Sequence, residues 1–154
     1  MNLAELITPE TIVPSLRVAN KRQLLQELAK RAAPLAGLDA KLVFDALDAR
    51  ERLGSTGIGN GTAVPHGRLA QLSRMWALFV RLQKPIPFEA VDDQPVDLVF
   101  LLLTPQTAGA DHLKALARLF RLLRDGAMCA KLRDTDDADA LYALLAERTT
   151  SHAA

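Results

Sequence analysis

Hydrophobic and polar positions follow two patterns along this chain. Two short segments, 75–82 and 96–103, are almost continuously apolar, which is typical of sheet strands covered on both faces. In most other segments the apolar side chains recur every three or four residues, which predicts amphipathic helices. Helices around central buried strands predict an α/β fold, a three-layer single domain with its sheet between helices.

Local signals outline the elements of the N-terminal part. Apolar positions predict a short helix over 3–7 and a short strand at 12–13. Asn20 and Gln23 have the spacing of a capping box, so a long helix is expected to begin there. Pro34 is expected to stop this helix, because proline lacks the amide hydrogen that a helix interior needs.

Similar signals outline the rest of the fold. Asp39 is expected to cap a second helix, and Gly54 suits its C-terminal end. The residues expected to face the core from this helix are Leu42, Val43, Ala46, Leu47 and Leu53. The proline-containing segment 83–94 is interpreted as a loop, and Asp111 is expected to cap a third helix that ends at Gly126. The remaining expected elements are a turn over 128–132 and a last helix over 136–147.

Composition narrows the class of protein. The chain has 154 residues, a net charge of +1 and one cysteine, Cys129. This length fits one domain over 1–154 with a core over about 3–147. The near-neutral charge gives no reason to expect a nucleic-acid partner. The apolar runs are too short for membrane insertion, and acidic residues precede the first basic residue, Arg17, which is the wrong order for a signal peptide. With no cysteine pair for an internal disulfide, these features predict a cytoplasmic protein.

Five of the eight glycines lie in one stretch, 54–67, with the sequence GSTGIGNGTAVPHG. Glycine lets the main chain approach a ligand closely, so a nucleotide-binding loop is the first hypothesis. A P-loop requires Lys and then Ser or Thr after its last glycine, but Gly61 is followed by Thr62 and Ala63. A dinucleotide loop follows a strand, whereas this stretch follows a predicted helix. Nucleotide binding is therefore not expected, and a glycine-rich turn without a ligand remains open.

Two histidines are better candidates for chemistry. His66 stands between Pro65 and Gly67 at the end of the glycine stretch, in a position that presents its side chain. His112 lies just beyond the carboxyl end of the second predicted strand, where the ligand sites of α/β sheets gather. His152 lies in the tail and is expected to have no role.

The residue types favour a nucleophilic histidine over other chemistries. A metal site is not expected, because Cys129 is isolated and neither HxxxH nor CxxC is present. Ser55 is not in the G-x-S-x-G elbow of a serine hydrolase. A neutral imidazole, with an ordinary pKa of about 6.5, has a free lone pair near neutral pH and can accept a phosphoryl group. Arg50, Ser55, Thr56 and His112 are suitable types to surround that group.

Three motifs carry a resemblance to a known family. Residues 50–68 have the sequence RERLGSTGIGNGTAVPHGR, residues 93–102 DQPVDLVFLL, and residues 110–117 ADHLKALA. Together they resemble the fructose/mannitol-type enzyme IIA of the bacterial phosphotransferase system, over almost the whole chain. STGIGNG with QPVDL is most similar to the nitrogen-regulatory branch of that family. Thr62 departs from the pattern, since an aliphatic residue is more frequent there.

The resemblance implies a mixed β-sheet and a phosphotransferase with a phosphohistidine intermediate. It implies that His66 is phosphorylated on Nε2 by a small HPr-like phosphocarrier, which an enzyme I charges from phosphoenolpyruvate. His112 would hydrogen-bond the phosphoryl group and Arg50 would neutralise its charge. Ser55 and Thr56 would lie nearby, and no cofactor is implied.

Several roles remain open at this point. The nitrogen-regulatory resemblance implies control of partner proteins, related to nitrogen, potassium or stress, according to phosphorylation state. The alternative within the family passes the phosphoryl group to a separate sugar-specific IIB protein, and a non-catalytic binding protein is the alternative from another class. The predicted third helix also carries a basic stripe, interpreted as a solvated face or as a docking site for an acidic partner; its residues are Lys114, Arg118, Arg121 and Arg124.

Overall fold

The computed structural model describes residues 3–151, with side chains described over 3–147. Over this range the chain forms six strands and five α-helices, with short 3-10 helices at Leu3–Glu5, Pro9–Thr11 and Gln106–Ala108. The strands are β1 (Ile12–Leu16), β2 (Gly57–Gly59), β3 (Thr62–Ala63), β4 (His66–Leu69), β5 (Trp76–Ile86) and β6 (Val96–Pro105). The α-helices are α1 (Lys21–Ala36), α2 (Ala40–Leu53), α3 (Ala110–Leu123), α4 (Gly126–Arg133) and α5 (Ala138–Ser151).

The six strands form one mixed sheet in the order β1-β5-β6-β3-β2, with β4 also paired to β6. Strand β6 is antiparallel to β5 and parallel to both β3 and β4. Strands β3 and β4 contact successive stretches of β6, since Thr62 pairs with Leu98 and His66 pairs with Leu102. The glycine stretch therefore follows β6 along one edge, where β2 and β3 form a small antiparallel hairpin.

Helices cover both faces of this sheet and create two apolar clusters. Alternate residues of β5 and β6, such as Val80 and Leu101, pack against α1 and α2. The intervening residues Phe79 and Phe100 pack against α3, α4 and α5, and their ring centroids lie 5.4 Å apart in an edge-to-face arrangement. Because both faces of the central strands are covered, their sequences are almost continuously apolar. The predicted three-layer α/β fold with a mixed sheet is confirmed.

Both predicted buried strands are present, but some neighbouring boundaries differ from expectation. Strand β5 continues to Ile86, so the start of segment 83–94 is strand rather than loop. Pro85 is accommodated because the pairing with β6 is irregular just there. Helix α1 also passes through Pro34, which lies in its last turn, and ends at Gly37, whose φ of 71° is left-handed. Proline lacks one amide hydrogen and therefore removes one hydrogen bond of the helix. Because Pro34 lies in the last turn, only two helical residues follow the missing bond.

The helix boundaries after β6 also differ from the prediction. Gly109, not Asp111, is the N-cap of α3, and Asp111 lies in the first turn. The segment 128–132 is helical and belongs to α4. Gly126 begins α4 instead of ending α3, because the Asp125 side chain accepts a hydrogen bond from an amide of the following turn.

Helix α2 begins after Asp39 and ends at Gly54 as predicted, but its inward face is narrower. Val43 and Leu47 are fully buried, whereas Leu53 is 84% exposed. A helix turns about 100° per residue, so the stripe that contains Val43 and Leu47 continues to residue 51 and leaves Leu53 on the outside. The predictions that Leu42 and Leu53 face the core are both wrong, since Leu42 is also exposed, at 38%.

Candidate active site

His66 is the first residue of β4, at the edge of the sheet next to α2. The carbonyl of Pro65 accepts a hydrogen bond from the amide of Leu102 at 3.0 Å, which fixes the strand start against β6. Gly67 allows close approach to the helix, because a Cβ there would lie 3.3 Å from the Cβ of Ala46. The sequence around His66 thus holds its buried side chain within reach of α2.

The two ring nitrogens of His66 have different partners. Nδ1 lies 2.8 Å from the carbonyl oxygen of Val64, and Nε2 lies 3.1 Å from Nε of Arg50. A carbonyl can only accept a hydrogen bond, so Nδ1 carries the proton, and the arginine can only donate, so Nε2 has the lone pair. The neutral ring is therefore held in the tautomer whose nucleophilic atom is Nε2. Arg50 is itself fixed by donating from Nη1 to the carbonyl of Gly54 at 2.8 Å.

The surroundings keep His66 neutral. Burial lowers the pKa of His66 below its ordinary value, and the positive charges of Arg50 and Arg68 lower it further. The hydrogen bond to Val64 and the negative charge of Glu51 oppose this shift without reversing it. A neutral imidazole with a defined lone pair is the form that can attack a phosphorus atom.

His112 is brought beside His66 by the start of α3. The ring centroids of the two histidines lie 5.7 Å apart. Nδ1 of His112 lies 2.7 Å from the hydroxyl oxygen of Thr104 at the end of β6, which leaves Nε2 of this ring for another partner. Burial, followed by the charges of Arg68 and His66, lowers the pKa of His112 to about 4. The structure thus brings together His66, His112 and Arg50.

The hydroxyls of Ser55 and Thr56 are engaged within the protein. Ser55 donates to the carbonyl of Phe88 at 2.9 Å and accepts from the amide of Gly57 at 3.1 Å. Thr56 donates both its amide and its hydroxyl to the carboxylate of Glu51. Both side chains support the glycine hairpin, and their direct contact with a phosphoryl group stays a prediction.

Glu51 and Lys21 form an ion pair beside the site that the sequence motifs did not predict. The carboxylate of Glu51 is almost buried and lies 2.6 Å from Nζ of Lys21. Lys21 also donates to the carbonyl of Phe88 at 3.3 Å and lies 4.5 Å from the centre of its ring. A signal was present, because Glu51 continues the stripe of Val43 and Leu47 at intervals of four and is the charged member of an otherwise apolar face.

Thr104 and Arg68 also belong to this region and had no assigned role. Thr104 is a polar residue at the end of an apolar strand, and its hydroxyl orients His112. Arg68 lies two residues after His66 on β4, and its charge lowers the pKa of both histidines. The alternation of β-strands was the available signal for Arg68, since residues two apart share a face.

Three further predictions from the sequence concern a metal site, a membrane-spanning segment and His152. Among the described residues, no group of three or more His, Cys, Asp and Glu side chains is arranged to hold a metal ion. Within the same part of the chain, no helix is long and apolar enough to span a membrane. His152 lies outside the described residues.

A comparison with protein-family models identifies the class of protein to which this fold and histidine site belong. Residues 5–148 match the family model described as "Phosphoenolpyruvate-dependent sugar phosphotransferase system, EIIA 2". The chain therefore belongs to the type 2 enzyme IIA family of the phosphotransferase system, a family of phosphotransferases.

Within that family the similarity is to nitrogen-regulatory members. The chain is 55% identical over 146 residues to the nitrogen regulatory protein of Bradyrhizobium diazoefficiens, with 95% of each chain covered. It is 36% identical over 148 residues to the nitrogen regulatory protein of Escherichia coli strain K12, covering 96% of this chain and 91% of that protein. The crystal structure of nitrogen regulatory protein IIA-Ntr from Neisseria meningitidis matches with a TM-score of 0.89 and 34% identity, covering 93% of this chain and 98% of the other. The resemblance to the nitrogen-regulatory branch is confirmed.

Proposed function

We propose that this chain accepts a phosphoryl group on Nε2 of His66 from an HPr-like phosphocarrier and controls partner proteins according to its phosphorylation state. The observation that carries the proposal is the pair of hydrogen bonds on the His66 ring. Val64 holds the proton on Nδ1, and Arg50 approaches Nε2 from α2. Nε2 is therefore the nucleophile in the ground state, before any donor arrives.

The transfer balances with these groups alone. The lone pair of Nε2 forms the new N–P bond while the bond between phosphorus and the donor's ring nitrogen breaks, and that nitrogen keeps the electron pair. The His66 ring becomes positively charged, and the carbonyl of Val64 stabilises it by accepting the Nδ1 proton in a hydrogen bond. Arg50 must release Nε2 for the attack, and its guanidinium then neutralises charge on the phosphoryl oxygens while Nη1 stays near Gly54.

His112 is the second group in the proposed site. Thr104 occupies its Nδ1, so its Nε2 can donate a hydrogen bond to the phosphoryl group when that nitrogen carries the proton. Its low pKa keeps the ring neutral at physiological pH, so it assists as a hydrogen-bond donor rather than as a cation.

Exposed apolar side chains support a protein as the donor. In the part of the chain that the structure describes, the three most exposed large hydrophobic residues are Leu53, Val91 and Leu113, at 84%, 79% and 64%. Leu53 immediately precedes Gly54, which anchors Arg50, and Leu113 immediately follows His112. Apolar side chains beside a catalytic group favour protein docking over a small polar substrate.

A regulatory output is favoured over sugar transport by the similarity to nitrogen regulatory proteins. A phosphohistidine adds negative charge at the site, and a partner that docks there can recognise that charge directly. The alternative is onward transfer to a sugar-specific IIB protein, which the family description keeps open. A cytoplasmic location stays a prediction from the sequence.

The test is phosphorylation with purified components. Incubation with phosphoenolpyruvate, enzyme I and the phosphocarrier should produce one acid-labile phosphoryl group on His66, and nitrogen-15 and phosphorus-31 NMR should place it on Nε2. The His66→Ala variant should take up none. Undiminished labelling of that variant would exclude His66 as the acceptor, and a wild-type chain that takes up nothing would favour the non-catalytic binding protein.

A second arm separates regulation from transport. The phosphorylated chain is mixed with a purified fructose-type IIB protein, and loss of label from His66 is followed. Retention of the label supports the regulatory role. Rapid transfer to the IIB protein would favour the sugar-transport alternative.

A further inference from the structure

Arg68 occupies a defined face of β4 beside the histidine pair. Gly67 and Leu69 face α2, because Gly67 lies against Ala46 and Leu69 belongs to the apolar cluster of α1 and α2. Side chains alternate along a strand, so His66 and Arg68 face the opposite side of the sheet, the side of α3.

The sheet register places Arg68 next to the residue that holds His112. Arg68 is paired with Thr104 of β6, just as His66 is paired with Leu102. Paired residues on neighbouring strands share a face, so the side chains of Arg68 and Thr104 are neighbours. The hydroxyl of Thr104 contacts His112, and Arg68 therefore lies close to both members of the histidine pair.

Arg68 is also exposed and makes no hydrogen bond or ion pair with the residues that the structure describes. By contrast, Arg50 is held by His66 and Gly54. The charge of Arg68 lowers the pKa of His66 and of His112, which places its guanidinium within electrostatic range of both rings. An unpaired cation beside two neutral histidines has no evident structural role there.

We propose that Arg68 is a second phosphoryl-binding cation, which contacts the phosphoryl group on His66 from the α3 side while Arg50 contacts it from the α2 side. This inference rests on the proposed function of His66. A phosphoryl group carries up to two negative charges on three oxygens, and a single guanidinium leaves part of that charge uncompensated. Two arginines on opposite sides, with His112 between them, would stabilise the group during transfer and afterwards.

The main alternative is that Arg68 binds an acidic surface of the phosphocarrier and never contacts the phosphoryl group. The two roles differ when the donor has no protein surface. Phosphoramidate is such a donor, because it carries the same P–N bond in a small molecule. The titration of the phosphoryl group after transfer is also independent of the carrier.

The experiment compares wild type with Arg68→Gln, Arg68→Lys and Arg17→Gln. Arg17→Gln is the matched control. Arg17 is an exposed arginine that follows β1, and its substitution removes the same charge as Arg68→Gln. Phosphorylation rates are measured with the charged phosphocarrier and with phosphoramidate, and phosphorus-31 NMR follows the pKa of the phosphoryl group on His66. Circular dichroism verifies that each variant is folded.

For Arg68→Gln we expect both rates to fall by roughly tenfold, as for loss of one charge-assisted contact made by an exposed side chain. The pKa of the phosphoryl group should rise, because a cation that favours the dianion has been removed. Arg68→Lys should recover most of the pKa change, and Arg17→Gln should behave as wild type.

Two results would overturn the inference while leaving the proposed function intact. One is a slower reaction with the phosphocarrier but an unchanged phosphoramidate rate and phosphoryl pKa, which would make Arg68 a docking residue. The other is no change in any measurement. Absence of phosphohistidine in the wild-type chain would instead overturn the proposed function, and this inference with it.

Discussion

The two sides of His66 are built differently. On the α2 side, the guanidinium of Arg50 is held by two hydrogen bonds, to His66 and to Gly54, and Glu51 next to it is bound by Lys21 and by Thr56. On the α3 side, His112 has one side-chain hydrogen bond, to Thr104. On the α2 side the charged groups are held by hydrogen bonds and an ion pair, whereas the α3 side has a neutral ring with a single hydrogen bond and the exposed Arg68, which is unpaired among the described residues.

This difference separates two tasks of the proposed site. The α2 side fixes the position of Arg50 on Nε2 of His66 and the shape of the glycine hairpin before a partner arrives, which is electrostatic preorganisation for the proposed transfer. On the α3 side, Nε2 of His112 and the guanidinium of Arg68 are the groups that we propose to bind the phosphoryl group when it is present. Loss of an α2 group should therefore affect both structure and transfer, whereas loss of an α3 group should affect transfer with little cost in stability.

Replacement of Arg50 should have the largest effect in this comparison. Arg50→Ala removes the hydrogen bond to Nε2 of His66 and the cation beside it, so the rate of phosphorylation by the phosphocarrier should fall about 100-fold. Arg50→Lys keeps the charge but cannot contact His66 and Gly54 with one rigid fork, so it should recover only part of the rate. Stopped-flow measurement of transfer checks both variants, and equal rates for Arg50→Ala and wild type would remove Arg50 from the site.

The sequence predicted the α2 side only in part. Arg50 and His66 were predicted as site residues because both lie in the motif over 50–68, and the buried strands and helix α2 were predicted correctly because their apolar patterns are strong. The ion pair between Glu51 and Lys21 joins two helices, and no local pattern encodes which distant partner a buried charge will meet. Likewise, the contact of Thr104 with His112 depends on how α3 returns over the sheet after β6.

Glu51→Gln tests whether the α2 side is also structural. The substitution leaves Lys21 without its ion-pair partner in a mostly buried position, so the free energy of unfolding should fall by about 2 kcal/mol. Urea denaturation gives this value. In the double variant Lys21→Met/Glu51→Gln the loss should be smaller than the sum of the single losses, because no unpaired ammonium remains. Additive losses would show that the two residues are not coupled.

The buried neutral His112 should make stability depend on pH. Its pKa is about 4 in the folded protein, against about 6.5 for an unfolded histidine. Between these values the unfolded chain binds a proton that the folded chain does not, so this contribution to stability is complete above pH 6.5 and is lost as the pH falls towards 4. Denaturation midpoints measured from pH 7 to pH 4 should decline less steeply for His112→Gln than for wild type. Parallel declines would assign the loss to other groups.

Thr104→Val tests the single support of His112. The change keeps the shape of the side chain but removes the hydroxyl, so the His112 ring should lose its fixed orientation. Phosphoryl transfer should slow by about fivefold to tenfold, which is less than for Arg50→Ala, because His66 keeps its own hydrogen bonds. NMR of the His112 ring nitrogens should show a changed tautomer balance, and an unchanged ring with an unchanged rate would deny Thr104 an orienting role.

The smallest effect is expected from the exposed basic stripe of α3. Lys114 and Arg118 lie on the solvent side of this helix, two and six residues beyond His112. If they guide an acidic partner, Lys114→Glu and Arg118→Glu should slow association with the phosphocarrier by about threefold at low salt, and the difference should vanish at high salt because ions screen exposed charges. The phosphoramidate reaction supplies the control, since it needs no docking and should proceed at the wild-type rate. Equal association rates at low salt would assign the stripe to a solvated face, and the α3 side would then act through His112 and Arg68 alone.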